Sequence, residues 1–238
     1  NATLSLTDRM NLRAAAYRTV SRPDPREIAR TVYSPVTGEC EQRGGPNITE
    51  TGITNGDFRW EWFPNPGELV SVGGFFKSFD EPYLASVAVF ARTCRFIPDN
   101  AESAVSYGGE LEVRKGLGFM SESLENLFLG GNFTYTDGHM TPYSDPAGRN
   151  NQVGAEDVAL LDQSKYLANG SIIWSDPRGG FSASFLVNYF SDRVRRYGQT
   201  LSTEDGITKV PDVLELSRTT LDAKLSKRFG DHMSFSFS

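Results

Sequence analysis

The 238-residue chain carries 24 Lys and Arg against 30 Asp and Glu, a net charge of −6, and it has no basic run of the kind phosphate binding needs, which excludes nucleic acid as a partner. Its longest apolar run, residues 83–91, is far too short for a spanning helix and excludes a helical membrane protein. The mean hydropathy of −0.39 has a soluble look, yet a transmembrane β-barrel with a polar lumen and polar loops averages the same.

Residues 1–7 and 10–21 predict two strands around the tight turn Asp8-Arg9, with Ala14-Ala15-Ala16 blurring the second alternation and predicting a bulge there. Neither proline of Arg22-Pro23-Asp24-Pro25 can donate to a ladder, so pairing ends and a long polar loop follows, holding Cys40 and Gly44-Gly45-Pro46. A strand over 53–63 sets Phe58, Trp60 and Trp62 against Asp57, Arg59 and Glu61. After the turn Pro64-Asn65-Pro66-Gly67 the chain returns through 69–79, where both sides carry Phe. A second long loop runs from Glu81-Pro82 through Cys94 to Pro98-Asp99.

Residues 103–117 alternate cleanly, Val105, Tyr107, Leu111 and Val113 on one side and Ser106, Glu110, Glu112 and Arg114 on the other. A turn over 121–126 leads to Leu127, Leu129, Phe133 and Tyr135 opposing Asn132, Thr134 and Thr136, and a third long loop spans 140–163. Tyr166, Ala168, Ile172 and Trp174 then form the apolar side of a strand with an aromatic near each end, where a lipid-facing strand places its belts. The turn Asp176-Pro177-Arg178-Gly179 opens the strand that organises the rest, residues 181–198. Its first half sets Phe181, Ala183, Phe185, Val187 and Tyr189 against Ser182, Ser184, Asn188 and Asp192, with Leu186 and Phe190 as exceptions. A fourth long loop over 199–210 precedes 213–229, where Leu221, Ala223 and Leu225 oppose Asp222, Lys224 and Ser226. Gly230-Asp231-His232 turns, and Met233, Phe235 and Phe237 begin one more strand.

Short and long connections therefore alternate. In an antiparallel meander this sends every long loop to one end, the asymmetry of outer-membrane barrels. The expected fold is all-β, an antiparallel up-and-down transmembrane β-barrel of about ten strands in one domain over 1–238, cut at both ends. Phe133, Tyr135, Tyr166, Trp174, Phe181, Phe185, Tyr189, Leu221 and Leu225 are expected to face outer-membrane lipid. Arg13, Arg59, Glu61, Glu110, Glu112, Arg114 and Lys165 are expected to line the lumen, as contacts to other parts or simply as a solvated wall. Cys40 and Cys94 fall in long loops at the same, extracellular end, which suits a disulfide; two unpaired surface thiols are the alternative.

Asp137 and His139 raise an enzyme reading, but two histidines without a partner constellation do not support one, and no metal site or cofactor is expected. Sequons at Asn132 and Asn169 lie within strands, where chance accounts for them. A soluble β-sandwich binding module is the remaining alternative, although it has no reason to sort its loops.

The motif from Tyr17 to Glu27 (YRTVSRPDPRE), Arg59-Trp60-Glu61-Trp62-Phe63-Pro64, GELVSVGGFFK over 67–77, Gln163-Ser164-Lys165-Tyr166, residues 180–198 and RTTLDAKLSKRFG over 218–230 together resemble the C-terminal barrel region of TonB-dependent outer-membrane receptors. The resemblance implies a 22-stranded barrel with an N-terminal plug in a Gram-negative outer membrane. It also implies coupling to the TonB energy-transducing complex and import of a scarce solute of the siderophore, cobalamin or glycan class. Plug, TonB box, early strands and terminal strand are not found in this sequence, so coupling would run through parts outside it. A barrel serving as a structural or partner-binding component of an envelope assembly is the alternative role.

Overall fold

A computed structural model describes residues 1–29, 31–34, 40–45, 48–90, 93–143, 157–176, 179–198, 200–203, 206–209, 211–229 and 233–237. In chain order its elements are β1 (Ala2–Thr7), β2 (Met10–Ser21), α1 (Pro25–Ile28), β3 (Val32–Tyr33), β4 (Glu41–Arg43), β5 (Thr51–Trp62), β6 (Leu69–Asp80), β7 (Tyr83–Phe90), β8 (Thr93–Asn100), β9 (Ser103–Gly116) and β10 (Leu127–Thr141). They continue with β11 (Val158–Ala159), β12 (Tyr166–Asp176), β13 (Phe181–Phe190), β14 (Arg193–Gly198), β15 (Thr200–Thr203), β16 (Gly206–Lys209), β17 (Val213–Glu215), β18 (Arg218–Phe229) and β19 (Met233–Phe237).

The main sheet runs β1-β2-β5-β6-β9-β10-β12-β13-β18-β19, with β11 added beside β10, and each neighbouring pair is antiparallel. Because each strand pairs with the next long strand in sequence, the connections alternate between the two ends. Tight turns fall at one end and the long excursions at the other.

Register turns the period-2 pattern of each strand into two continuous rows. One row reads Ser5, Asn11, Glu61, Ser71, Glu112, Asn132, Asn169, Asn188, Thr220 across successive strands. The row one residue away reads Leu4, Leu12, Trp60, Val72, Leu111, Phe133, Ala168, Tyr189, Thr219. Successive side chains point to opposite faces, so the first row belongs to a polar face and the second to an apolar one.

The long excursions are themselves folded. Strands from three of them assemble a second, six-stranded sheet in the order β17-β14-β7-β8-β4-β3, with β14 parallel to β7 and β4 parallel to β8. The apolar run read as loop above is thus strand β7, hydrogen-bonded to β8 along its whole length. Leu84 and Tyr197 of this loop sheet pack with Ala101 and with Ala104 and Met140 at the rim of the main sheet, each at most 4% exposed. The Tyr197 hydroxyl donates to the Ala159 carbonyl, and burial pushes its pKa well above the ordinary 10.0.

Two further expectations are corrected. The register of β2 against β5 is continuous through Ala14, Ala15 and Ala16, and the irregularity lies instead in β1, between Ser5 and Thr7 beside the hairpin turn. The 181–198 stretch is not one strand. Ser191 and Asp192 interrupt it, the Ser191 carbonyl accepting from Ser164 Oγ at 2.9 Å and the Asp192 carboxylate from the Ser217 backbone, after which β14 leaves the main sheet for the loop sheet. The turns expected at 176–179 and 230–232 lie partly or wholly outside the described residues.

Candidate functional site

The polar face carries a chain of charges that crosses several strands. Arg13 Nε lies 2.9 Å from Glu61 Oε2, Arg59 Nε 3.1 Å from Glu61 Oε1, Arg59 Nη2 2.8 Å from Glu112 Oε2, and Arg114 Nη2 3.2 Å from Glu112 Oε1. Glu61 is the deepest of these, its side chain 9% exposed and held between two guanidinium groups. Alternating signs along the row keep each carboxylate beside a cation, which is what a buried carboxylate requires to stay charged.

Where the charges end, amides continue the row. Asn169 Nδ2 donates to Asn132 Oδ1 at 2.7 Å, and Asn188 donates to Asn169 in the same sense. These asparagines lie directly opposite one another in register. Together with Glu112, Arg114 and Asp222 they surround a hollow of about 380 Å³ on the polar face. Its lining of carboxylate, guanidinium and amide groups suits hydrogen bonding to a polar solute or to a polar protein segment. Sequence reasoning had put aside Asn132 and Asn169 as chance sequons; their alternation with apolar neighbours was the signal, but their alignment needed the register.

Of the residues expected to share the lumen side, Arg13, Arg59, Glu61, Glu112 and Arg114 are brought together. Glu110 sits on the same face, opposite Gly73 and Thr134, and is exposed. Lys165 departs from the group. It precedes β12, its ammonium lies 3.5 Å from Asp137 Oδ2 and 5.7 Å from the centre of the Tyr135 ring, and so it joins the aromatic side. The Asp137 carboxylate, also bonded by the Tyr135 hydroxyl at 3.2 Å, draws it there.

On the apolar face, Phe133, Tyr135 and Tyr166 cluster with ring centres 6.2 and 5.6 Å apart, and at the opposite end of the strands Trp174 meets Phe181 at 5.6 Å. Phe185, Tyr189, Leu221 and Leu225 share this face by register. Phe185 and Leu221 are 43% and 64% exposed. Cys40 and Cys94 form a disulfide that ties β4 to β8, beside an ion pair of Arg95 with Glu41 at 2.9 Å.

Asp137 and His139 do not act on each other. Asp137 is engaged by Tyr135 and Lys165, while His139 Nε2 lies 3.9 Å from Asp157. Among the described residues no group of three or more His, Cys, Asp and Glu is placed to hold a metal ion.

No curated protein matches the sequence. Among solved structures, the ferric enterobactin receptor PfeA of Pseudomonas aeruginosa (a mutant form) aligns over 98% of this chain and 33% of its own, at 15% identity and a TM-score of 0.61. The copper transporter OprC aligns over 98% and 31%, at 17% and 0.65, and the siderophore receptor PirA of Acinetobacter baumannii over 96% and 34%, at 15% and 0.56. The chain thus spans about a third of the length of these proteins, and at such identities the likeness is one of fold. The family model for the TonB-dependent receptor-like β-barrel matches residues 1–238 from end to end. This chain therefore belongs to that family.

Proposed function

We propose that the chain is part of the barrel wall of an outer-membrane receptor that imports a scarce solute with energy delivered through TonB. The observation that carries this reading is the pair of adjacent register rows, one polar and one apolar, kept apart across nine strands. In this reading the apolar row faces lipid and the polar row faces a lumen, since a soluble sheet would bury side chains such as Phe185 and Leu221 that are exposed here.

The spacing of the aromatic clusters supports the orientation. Tyr166 and Trp174, eight residues apart in β12, are about 27 Å apart along the strand. At a barrel strand's usual tilt this becomes roughly 20 Å of height, close to the apolar band of outer-membrane barrels. The loop sheet then lies on the extracellular side, and the described strands supply one sector of a wider barrel in a Gram-negative outer membrane. PfeA is named as a ferric enterobactin receptor, PirA as a siderophore receptor and OprC as a copper transporter. Siderophores therefore head the candidate solutes, with cobalamin, glycans and copper behind them.

The test is uptake by the full-length protein in cells with and without TonB, using radiolabelled ferric siderophores, cobalamin, oligosaccharide and copper. TonB-dependent accumulation of one of these is expected. Equal, slow entry of all of them in both strains would overturn active import.

A further inference from the structure

The connection from β9 to β10, residues 117–126, is at the tight-turn end, and its tip is apolar. Phe119 and Met120 are 71% and 64% exposed, although Ser121 caps a short 3-10 turn at Glu122–Leu124 immediately after them and gives the segment a defined shape. The two side chains are adjacent, so the tip presents a contiguous apolar surface rather than a lone exposed residue.

The position of the tip says what meets it. Lys115 belongs to the apolar face, in line with Leu111 and Val113 along β9, and its ammonium lies 5.1 Å from the centre of the Phe119 ring. The Leu117 backbone N–H donates to the Leu127 carbonyl at 2.8 Å, which sets Leu117 in the row that continues through Trp174. Phe119 therefore begins two residues beyond the aromatic edge marked by Trp174 and Phe181, on the side of the sheet that bears Lys115. The Lys115 ammonium is also held by the Glu68 carboxylate of the neighbouring turn at 2.9 Å, and a long basic side chain at this boundary lays its stem along apolar surface with its charge at the headgroup level.

We infer that the 117–126 turn is a membrane foot: Phe119 and Met120 enter the acyl–headgroup boundary of the leaflet at the tight-turn end, with Lys115 above them. The partner is glycerophospholipid, chosen because Phe119 lies on the side of the sheet that bears the apolar face, beyond Leu117 and Trp174 at the tight-turn end. This inference rests on the lipid-facing reading of that face.

The test uses the full-length receptor in phospholipid vesicles with Cys40 and Cys94 bonded, carrying Phe119→Cys, Met120→Cys, Phe185→Cys or Arg26→Cys and a nitroxide label. Collision with oxygen, which concentrates in lipid, is compared with collision with a water-soluble nickel chelate. The expected result is an oxygen-to-nickel ratio at 119 and 120 several-fold above that at Arg26, an exposed residue of α1, and below that at 185. A ratio at 119 and 120 equal to that at 26 means a water-exposed turn and overturns the foot. Protection from both reagents means a protein partner and overturns it too. A water-like ratio at 185 removes the lipid-facing reading itself, and the foot with it. Phe119 is exposed, so its replacement leaves the fold intact, and Met120→Cys is an independent second probe.

Discussion

Arg59 on β5 reaches across the intervening strand β6 to bond Glu112 on β9, Nη2 to Oε2 at 2.8 Å. The residue it crosses is Gly73, its direct register partner, where an added Cβ would lie 3.2 Å from the Phe58 carbonyl oxygen and 3.7 Å from Arg59 Cβ. A glycine in the middle of a strand weakens it slightly, and here it opens the path for a bond between strands that are not neighbours.

That bond makes the charge row a coupled unit. Arg59→Met is expected to cost about 1–3 kcal/mol, because Glu112 loses a charged hydrogen-bond donor and the deeply placed Glu61 loses an adjacent cation. Arg13→Met alone leaves Glu61 with Arg59 and costs less. The double variant strips Glu61 of both partners and is expected to exceed the sum of the two single losses. Urea unfolding in lipid vesicles, followed by the gel mobility of folded against unfolded protein, measures all three.

The two faces are expected to respond oppositely to charge. Phe185→Arg places a cation in the apolar band and should cost about 2–4 kcal/mol. Ser184→Arg, one residue away on the polar face, should change the same unfolding midpoint little. Equal effects at the two positions would show that the faces do not meet different solvents.

The disulfide closes a stretch of 54 residues. On loop-closure entropy alone its reduction is expected to cost the linked loops roughly 4 kcal/mol. Hydrogen exchange should therefore speed up in β3, β4, β7 and β8 after Cys40→Ser with Cys94→Ser, while β9, β10 and β12 keep their protection.

Glu68, in the turn between β5 and β6, is bonded by Lys115 Nζ at 2.9 Å and by Asn65 Nδ2 at 2.8 Å. Hydrogen bonding to Lys115 first, then to Asn65, holds its carboxyl below the ordinary value of 4.5, against the opposing effect of burial. A lowered folded-state pKa stabilises fully above 4.5, and that stability fades as pH falls through the folded value. Glu68→Gln is expected to flatten the acid limb of stability against pH below about 4.5 and to leave its shape near pH 7 unchanged, as read by unfolding midpoints at a series of pH values.

The main sheet was legible because alternation is a local signal: Glu112 between Leu111 and Val113 announces a two-faced strand without reference to anything distant. The sorting of short and long connections then gave the order of the strands. The loop sheet was not legible, since β4 meets β8 and β14 meets β7 in parallel, between segments from different loops whose sequences carry no mark of the partner. For the same reason the asparagine row was missed, because Asn132, Asn169 and Asn188 become neighbours through register alone. Lys165 was misplaced because counting from Tyr166 assumes strand geometry one residue beyond where the strand begins, and there the Asp137 carboxylate decides where the ammonium goes.

The loop sheet, interleaved from three excursions and closed by the Cys40 to Cys94 bond, also determines how the molecule is recognised from outside it. A binder lying across β14, β7, β8 and β4 would touch chain segments a hundred residues or more apart in sequence. No peptide copied from one excursion reproduces that surface, so antibodies selected on the folded protein there would fail on the denatured chain, and a vaccine or detection reagent aimed at it would have to present the assembled sheet.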